Sequence, residues 1–261
     1  MERVHDRLQG KVAIVTGGGG GLGSAACHRL VEEGAQVVVA DVDFGAATAV
    51  AEKLGDRAIA VEFDYRDERS IDSLIGTTIE TWGRLDVLHN NGNAPFKEDG
   101  PLETADSTVW DTIYQVTLRG YALATKHAIP HLRAAHGGVI INMGSGAALS
   151  GGLALSAYGA MKAGVLALTK YTATQCGKDG IRAVSITPGA ILTDTARSYI
   201  GEDRLESMLD HYLTPRLGEP AELGALVAFL ASDEAQFLTG INIPLDGGYL
   251  SHQPAIVDQR R

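Results

Sequence analysis

Val12-Ala13-Ile14-Val15-Thr16-Gly17-Gly18-Gly19-Gly20-Gly21-Leu22-Gly23 is the stretch that decides the fold. Its first four residues are apolar, with no polar alternation. A strand buried on both faces reads this way. Leu22, Ala26 and Leu30 then fall on one face of a helix. Between strand and helix, the glycines let the chain turn sharply and let another group approach the backbone closely. The opening N–H groups of a helix, at the positive end of its dipole, suit a phosphate. The context favours a turn that cradles a dinucleotide pyrophosphate, the plain alternative being a flexible glycine-rich turn.

Similar apolar runs recur at Val37-Val38-Val39, Ile59-Ala60-Val61, Val87-Leu88, Val139-Ile140-Ile141 and Val184-Ser185-Ile186. Residues at helical spacing separate them: Ile71, Leu74, Ile75 and Ile79, then Ile113, Val116 and Leu123, then Ala163, Leu166, Ala167 and Lys170. Strand and helix alternating over the whole length imply an α/β fold, a doubly wound parallel sheet with helices on both faces. No linker or charge run divides the chain, so one domain over residues 1–261 is expected. Three irregular segments, Gly92 to Asp106, Gly144 to Ser156 and Pro188 to about Gly218, follow strands, where such sheets bind ligands. The tail from Ser251 to Arg261 shows no clear periodicity; it suits disorder or a crossing to a neighbouring subunit.

Lys plus Arg number 22 against 32 Asp plus Glu, a net charge of −10. An acidic surface repels phosphate backbones and anionic lipid, which argues against nucleic acid and membrane partners. The two cysteines, Cys27 and Cys176, form no CxxC pair and suit a reducing compartment. Met1 to Gly10 is polar, without an apolar signal core, and no apolar run approaches the ~20 residues of a membrane helix. A cytoplasmic protein is the expectation.

Asp41 ends the second apolar run, eighteen residues beyond Gly23. An acid there bonds both ribose hydroxyls of NAD and repels a 2′-phosphate; its alternative is a turn or cap residue. Tyr158 and Lys162 stand at i and i+4 in Tyr158-Gly159-Ala160-Met161-Lys162, on one helix face. A free tyrosine titrates near ~10, and a neighbouring cation lowers that value toward useful acid/base chemistry. Ser145, thirteen residues earlier and just past a strand, is placed to bond the same substrate oxygen. Taken alone, a Tyr/Lys pair is commonest on a solvated helix surface. His127 and His131 are also an i, i+4 pair, near His136, but no HExxH or cysteine partner accompanies them and Pro130 is expected to interrupt the helix; no metal is expected. Tyr199, Met208, Tyr212 and Leu213 stand in the segment over 190–217, as packing or as a substrate lid.

Taken in order, TGGGGGLG at 16–23, Asp64, Asn90-Asn91, Ser145, YGAMK at 158–162, Pro188-Gly189 with Thr193, and Asp246-Gly247-Gly248 resemble the short-chain dehydrogenase/reductase family in its short form. The resemblance covers residues 8–249 and implies a Rossmann-like sheet of seven strands. It implies that Gly17, Gly21, Leu22 and Gly23 shape the phosphate turn and Asp41 binds the adenosine ribose. Asp64 and the backbone around Tyr65 would hold the adenine, Asn90 would support the adenine-side strand end, and Gly92 would fit beside the cofactor. Tyr158 would be the acid/base, Ser145 would polarise the substrate oxygen, and Lys162 would bind the nicotinamide ribose and tune Tyr158. The backbone at Ile191 and the hydroxyl of Thr193 would hold the carboxamide, with Pro188 and Gly189 also at the cofactor.

The chain departs from the family pattern twice. Asn93 stands where the family has glycine, and Thr117 where it has an asparagine that holds a water in a proton relay from Lys162; the relay is expected to continue through water at Thr117. Asn93, Ala147, Leu149 and Leu153 are the expected substrate residues, on the apolar side. The resemblance implies an NAD-dependent enzyme interconverting a secondary alcohol and a ketone. The alternatives are a 3-oxoacyl thioester reductase, which would want NADP and a basic patch, and a non-catalytic dinucleotide-binding protein. It also implies a homotetramer, with Val165, Leu168, Thr169 and Thr172, and the strand at Ile241 to Leu245, as candidate contacts.

Overall fold

A computed structural model describes residues 6–193, Ala196 and residues 202–253. Seven strands form one sheet: β1 (Val12–Thr16), β2 (Gln36–Asp41), β3 (Ala58–Glu62), β4 (Val87–Asn90), β5 (Gly138–Met143), β6 (Ile181–Pro188) and β7 (Asn242–Leu245). They are all parallel, in the order β3-β2-β1-β4-β5-β6-β7. The chain winds outward from β1 in one direction and from β4 in the other. The strand ends diverge between them and leave a crevice there.

The helices are α1 (Gly21–Glu32), α2 (Phe44–Leu54), α3 (Glu68–Trp82), α4 (Ser107–Ile113), α5 (Tyr121–Ala134), α6 (Ser156–Cys176), α7 (Glu202–Leu209) and α8 (Pro220–Ala231). Side chains of Asp43, Asp67 and Asp106 accept backbone N–H bonds and cap α2, α3 and α4. Val15, Val37 and Val39 pack with Ala26, Leu30 and Val227 on one side of the sheet. Ile14, Val38, Leu88 and Ile140 pack with Ile71, Leu74 and Val165 on the other. Covering on both faces is why the strands read as apolar runs. This is a Rossmann-like fold, as the resemblance implied.

Four local findings differ from, or add to, the sequence reading. β7 carries no apolar run; it is an edge strand, and Pro244 fits there because an edge need not use every N–H. Pro130 does not interrupt α5, which continues to Ala134; the proline and Lys126, whose carbonyl loses its helical partner, both sit on the exposed side, open to solvent. Val165, Thr169 and Thr172 are buried under α6, and Leu168 packs on the same core, so these four are not a free face. Finally, α4 and α5 are joined by a π-helical stretch, Tyr114–Gly120, rather than forming one uniform helix.

Candidate active site

The glycine turn is shaped by close contact. Gly17 has φ +63°, and a Cβ there would meet the Gly92 Cα at 2.7 Å. At Gly23, a Cβ would collide with the Gly17 carbonyl. Asn91 braces the turn from β4, its Nδ2 donating to the carbonyls of Thr16 at 2.9 Å and Gly17 at 3.2 Å. No side chain caps α1, and no acid occupies its first turn. Its opening N–H groups are thus free of side-chain competition among the described residues, which suits an anion.

A cleft of about 610 Å³ runs along this turn. Gly17, Gly21, Leu22 and Gly23 line it, with Asp41, Asp64 and Tyr65, and with Gly92, Asn93, Phe96 and Thr193. The absence of side-chain bulk, an uncapped helix start and a carboxylate at the strand end fit a dinucleotide. Asp41 is held in place by N–H groups of Gly19 at 3.0 Å and Asp43 at 3.1 Å. Asp64 accepts a forked pair of bonds from Arg66, whose guanidinium holds its carboxyl below the usual range. Asn90 supports the cleft instead of lining it: it is fully buried between Tyr65, which donates at 2.9 Å, and Asn142, which accepts at 2.9 Å.

Ser145, Tyr158 and Lys162 come together where β5 ends and α6 begins. The Ser145 hydroxyl acts on Tyr158, favouring its ionised form. Lys162 is fully buried, donates to the Met143 carbonyl at 2.6 Å and to the Tyr121 hydroxyl at 3.5 Å, and lies 5.6 Å from the Tyr158 ring centre. The i, i+4 spacing led us to expect a cation that lowers the tyrosine. Burial acts first on both groups. It pushes Tyr158 up, with Ser145 pulling the other way, and pushes Lys162 down to about 7.

The start of α6 is fixed by a residue that sequence reasoning missed. Leu155 has φ +65°, and its N–H donates to the Asp99 carbonyl at 2.9 Å. The Asp99 side chain then accepts from Ala157 at 3.1 Å and Tyr158 at 2.7 Å. Asp99 lies in an irregular loop 59 residues before Tyr158, so no local pattern marks the pair. Phe96, also missed, lines the cleft and packs on the Tyr158 ring at 5.0 Å.

The remaining expected residues divide. Asn93 is exposed in the cleft wall. Ala147 packs in the small cluster around Tyr158 and donates its N–H to Ser145 at 3.2 Å. Leu149 and Leu153 are exposed, Leu153 by 95%, and neither lines the cleft. Pro188 and Gly189 lie at the end of β6, Gly189 bonded to the Leu245 carbonyl, while Ile191 lines a separate cavity of about 410 Å³. The Thr193 hydroxyl accepts from Ala196 at 3.0 Å.

Tyr212 is buried and its hydroxyl accepts from Ala190 at 2.6 Å. Tyr199 lies outside the described residues. The Thr117 hydroxyl is buried with no partner among the described residues. His127 bonds Glu68 at 3.0 Å and Asp72 at 3.2 Å, tying α5 to α3.

An uncapped glycine turn at the switch point of a parallel sheet, with Ser145 and the buried Tyr158 and Lys162 beside it, defines a nucleotide-dependent oxidoreductase architecture. A family profile described as Enoyl-(Acyl carrier protein) reductase matches residues 18–250. The chain is 38% identical over 257 residues to a probable short-chain type dehydrogenase/reductase of Bradyrhizobium diazoefficiens, covering 97% of this chain and 92% of that one. It is 36% identical to 7alpha-hydroxysteroid dehydrogenase of Bacteroides fragilis, covering 96% and 98%. It is 37% identical to meso-2,3-butanediol dehydrogenase of Serratia marcescens, covering 96% and 100%. The chain belongs to the short-chain dehydrogenase/reductase family, oxidoreductases of alcohols and ketones that use nicotinamide dinucleotides.

Proposed function

We propose that this chain is an NAD(H)-dependent dehydrogenase interconverting a secondary alcohol and a ketone on a mainly apolar substrate. The observation that carries this reading is the group of partly buried Ser145 with buried Tyr158 and Lys162 beside a glycine-lined cleft. The bound nicotinamide would supply the hydride acceptor or donor. Tyr158 exchanges the substrate hydroxyl proton, Ser145 bonds the same oxygen as charge develops, and Lys162 favours the ionised tyrosine. The Thr117 hydroxyl, unpartnered among the described residues, is the site at which a water bridges toward Lys162.

Asp41 supports NAD over NADP, because a carboxylate anchored in the cleft meets a 2′-phosphate as a like charge. The half-exposed Phe96 ring beside Tyr158, with Ala94, Pro95 and Val116 in the same cleft, supports an apolar substrate. The relatives named for a hydroxysteroid and a butanediol agree with a secondary alcohol.

The reading includes one domain over residues 1–261, a cytoplasmic setting and a homotetramer. No described helix is long and apolar enough to cross a membrane. The open edge of β7 and the exposed side of α6, with Ala160, Ala163, Ala167 and Tyr171, support association. The test is NADH formation with a panel of linear, alicyclic and steroidal secondary alcohols, run beside NADP and a 3-oxoacyl thioester with NADPH. Turnover only with the thioester, or with none of them, overturns the reading.

A further inference from the structure

Among the described residues, Lys162 has a small and unusual set of neighbours. Its ammonium group is fully buried, with the Met143 carbonyl at 2.6 Å and the Tyr121 hydroxyl at 3.5 Å. It lies 5.1 Å from the Tyr121 ring centre and 5.6 Å from that of Tyr158. His89 approaches from β4, but burial holds it down to about 4, so it is neutral at ordinary pH. Tyr65 adjoins Tyr121 at 5.3 Å between ring centres and is also kept neutral by burial. No carboxylate appears among the groups acting on Lys162, and burial pushes its ammonium down to about 7. What holds the charge is therefore neutral oxygen and aromatic faces.

Tyr121 connects this group to the cleft. Its hydroxyl accepts from Lys162 and donates to the Gly92 carbonyl at 3.1 Å, and Gly92 lines the cleft beside Gly17. Tyr121 is fully buried, and burial raises it well above the ordinary tyrosine value, so it does not compete for the proton. It stands immediately after the π-helical stretch, four residues beyond Thr117, whose own hydroxyl has no partner among the described residues. Donor and acceptor capacity are both used at Tyr121 and unused among the described residues at Thr117.

We propose that Tyr121 is a positioning residue of this site. Its hydroxyl holds the Lys162 ammonium charged beneath Tyr158 and ties it to the Gly92 edge of the cleft. Removing that oxygen leaves the same burial with one acceptor fewer, so the lysine loses its proton at lower pH. In ketone reduction, which needs the charged form, the alkaline limb of kcat then moves toward acid. The NADH grip rests on the glycine turn and changes less.

Tyr121→Phe is the test, in two arms. The first is independent of turnover: the Nζ of Lys162 is followed by NMR in lysine-labelled protein without cofactor, assigned by loss of its signal in Lys162→Met. We expect Tyr121→Phe to lower the Lys162 transition by about one pH unit, with an unchanged unfolding profile. The second arm rests on the dehydrogenase reading: kcat for ketone reduction falls by about fivefold above neutrality, while KM for NADH changes by less than about twofold. An unshifted Lys162 transition in the folded variant overturns the inference whatever the activity shows. A wild-type chain without turnover on any alcohol or ketone overturns the dehydrogenase reading, while the NMR arm still decides the role of Tyr121.

Discussion

Asp99 and Tyr158 are joined through the backbone: the carboxylate accepts the Tyr158 N–H at 2.7 Å and, with its other oxygen, the Ala157 N–H at 3.1 Å. The loop that carries Asp99 thus sets where α6 begins and how the Tyr158 ring enters the site. Asp99→Ala removes both acceptors and leaves the opening N–H groups of α6 buried. We expect a loss of about 2 kcal/mol in unfolding free energy and a fall of about tenfold in kcat. Asp99→Asn keeps one acceptor and should fall between. Chemical denaturation and steady-state kinetics on the same preparations check this; an alanine variant with wild-type kcat would remove the link between the loop and the tyrosine.

Tyr158→Phe keeps the ring that packs against Phe96 at 5.0 Å and removes the hydroxyl on which Ser145 acts. Turnover should drop to well under about a tenth of wild type, with NADH affinity nearly intact. Single-turnover kinetics and a fluorescence titration of NADH separate the two effects. Retention of a larger share of kcat would mean that another group moves the proton.

Cofactor choice should follow Asp41, whose carboxylate is fixed by the Gly19 and Asp43 N–H groups. The wild type is expected to prefer NAD over NADP by at least about tenfold in kcat/KM, and Asp41→Ala to narrow the gap. Equal kcat/KM for the two cofactors in the wild type would contradict the assignment.

Glu33 joins the residues before β1 to α1. Burial pushes its carboxyl up, but bonds from Arg7 at 2.7 Å and Arg29 at 2.6 Å outweigh that and leave it below the usual value. A depressed carboxyl contributes its stability above the unfolded-state value and loses it as pH falls through the folded-state value. Glu33→Gln should therefore cost about 2 kcal/mol at neutral pH, and the difference from wild type should shrink below a pH of about 4. Paired melts across that range give the sign directly. A gap that persists into acid would assign the loss to packing and not to charge.

The sequence by itself determined the sheet and the turn at its centre. Runs such as Val12-Ala13-Ile14-Val15 and Val37-Val38-Val39 report burial on two faces, and the run of glycines at 17–23 reports a backbone that, at Gly17 and Gly23, has no room for a side chain. These are local properties, carried by residues within one or two turns of each other. The spacing of Tyr158 and Lys162 is local too, and it placed them on one helix face.

Only the tertiary structure decided what surrounds that face. Asp99 reaches Tyr158, and Tyr121 reaches Lys162, across separations of 59 and 41 residues that no periodicity records. The π-helical stretch at Tyr114–Gly120 adds to this. Each residue of an α-helix turns its face by about 100°, so widening one turn rotates everything after it and changes which side chains look inward. A uniform helix projected from Ile113, Val116 and Leu123 does not contain that rotation. The burial of Val165, Thr169 and Thr172 had the same cause in another form. Small and apolar residues suit a neighbouring subunit and a sheet equally well, and only the path of the chain selects between them.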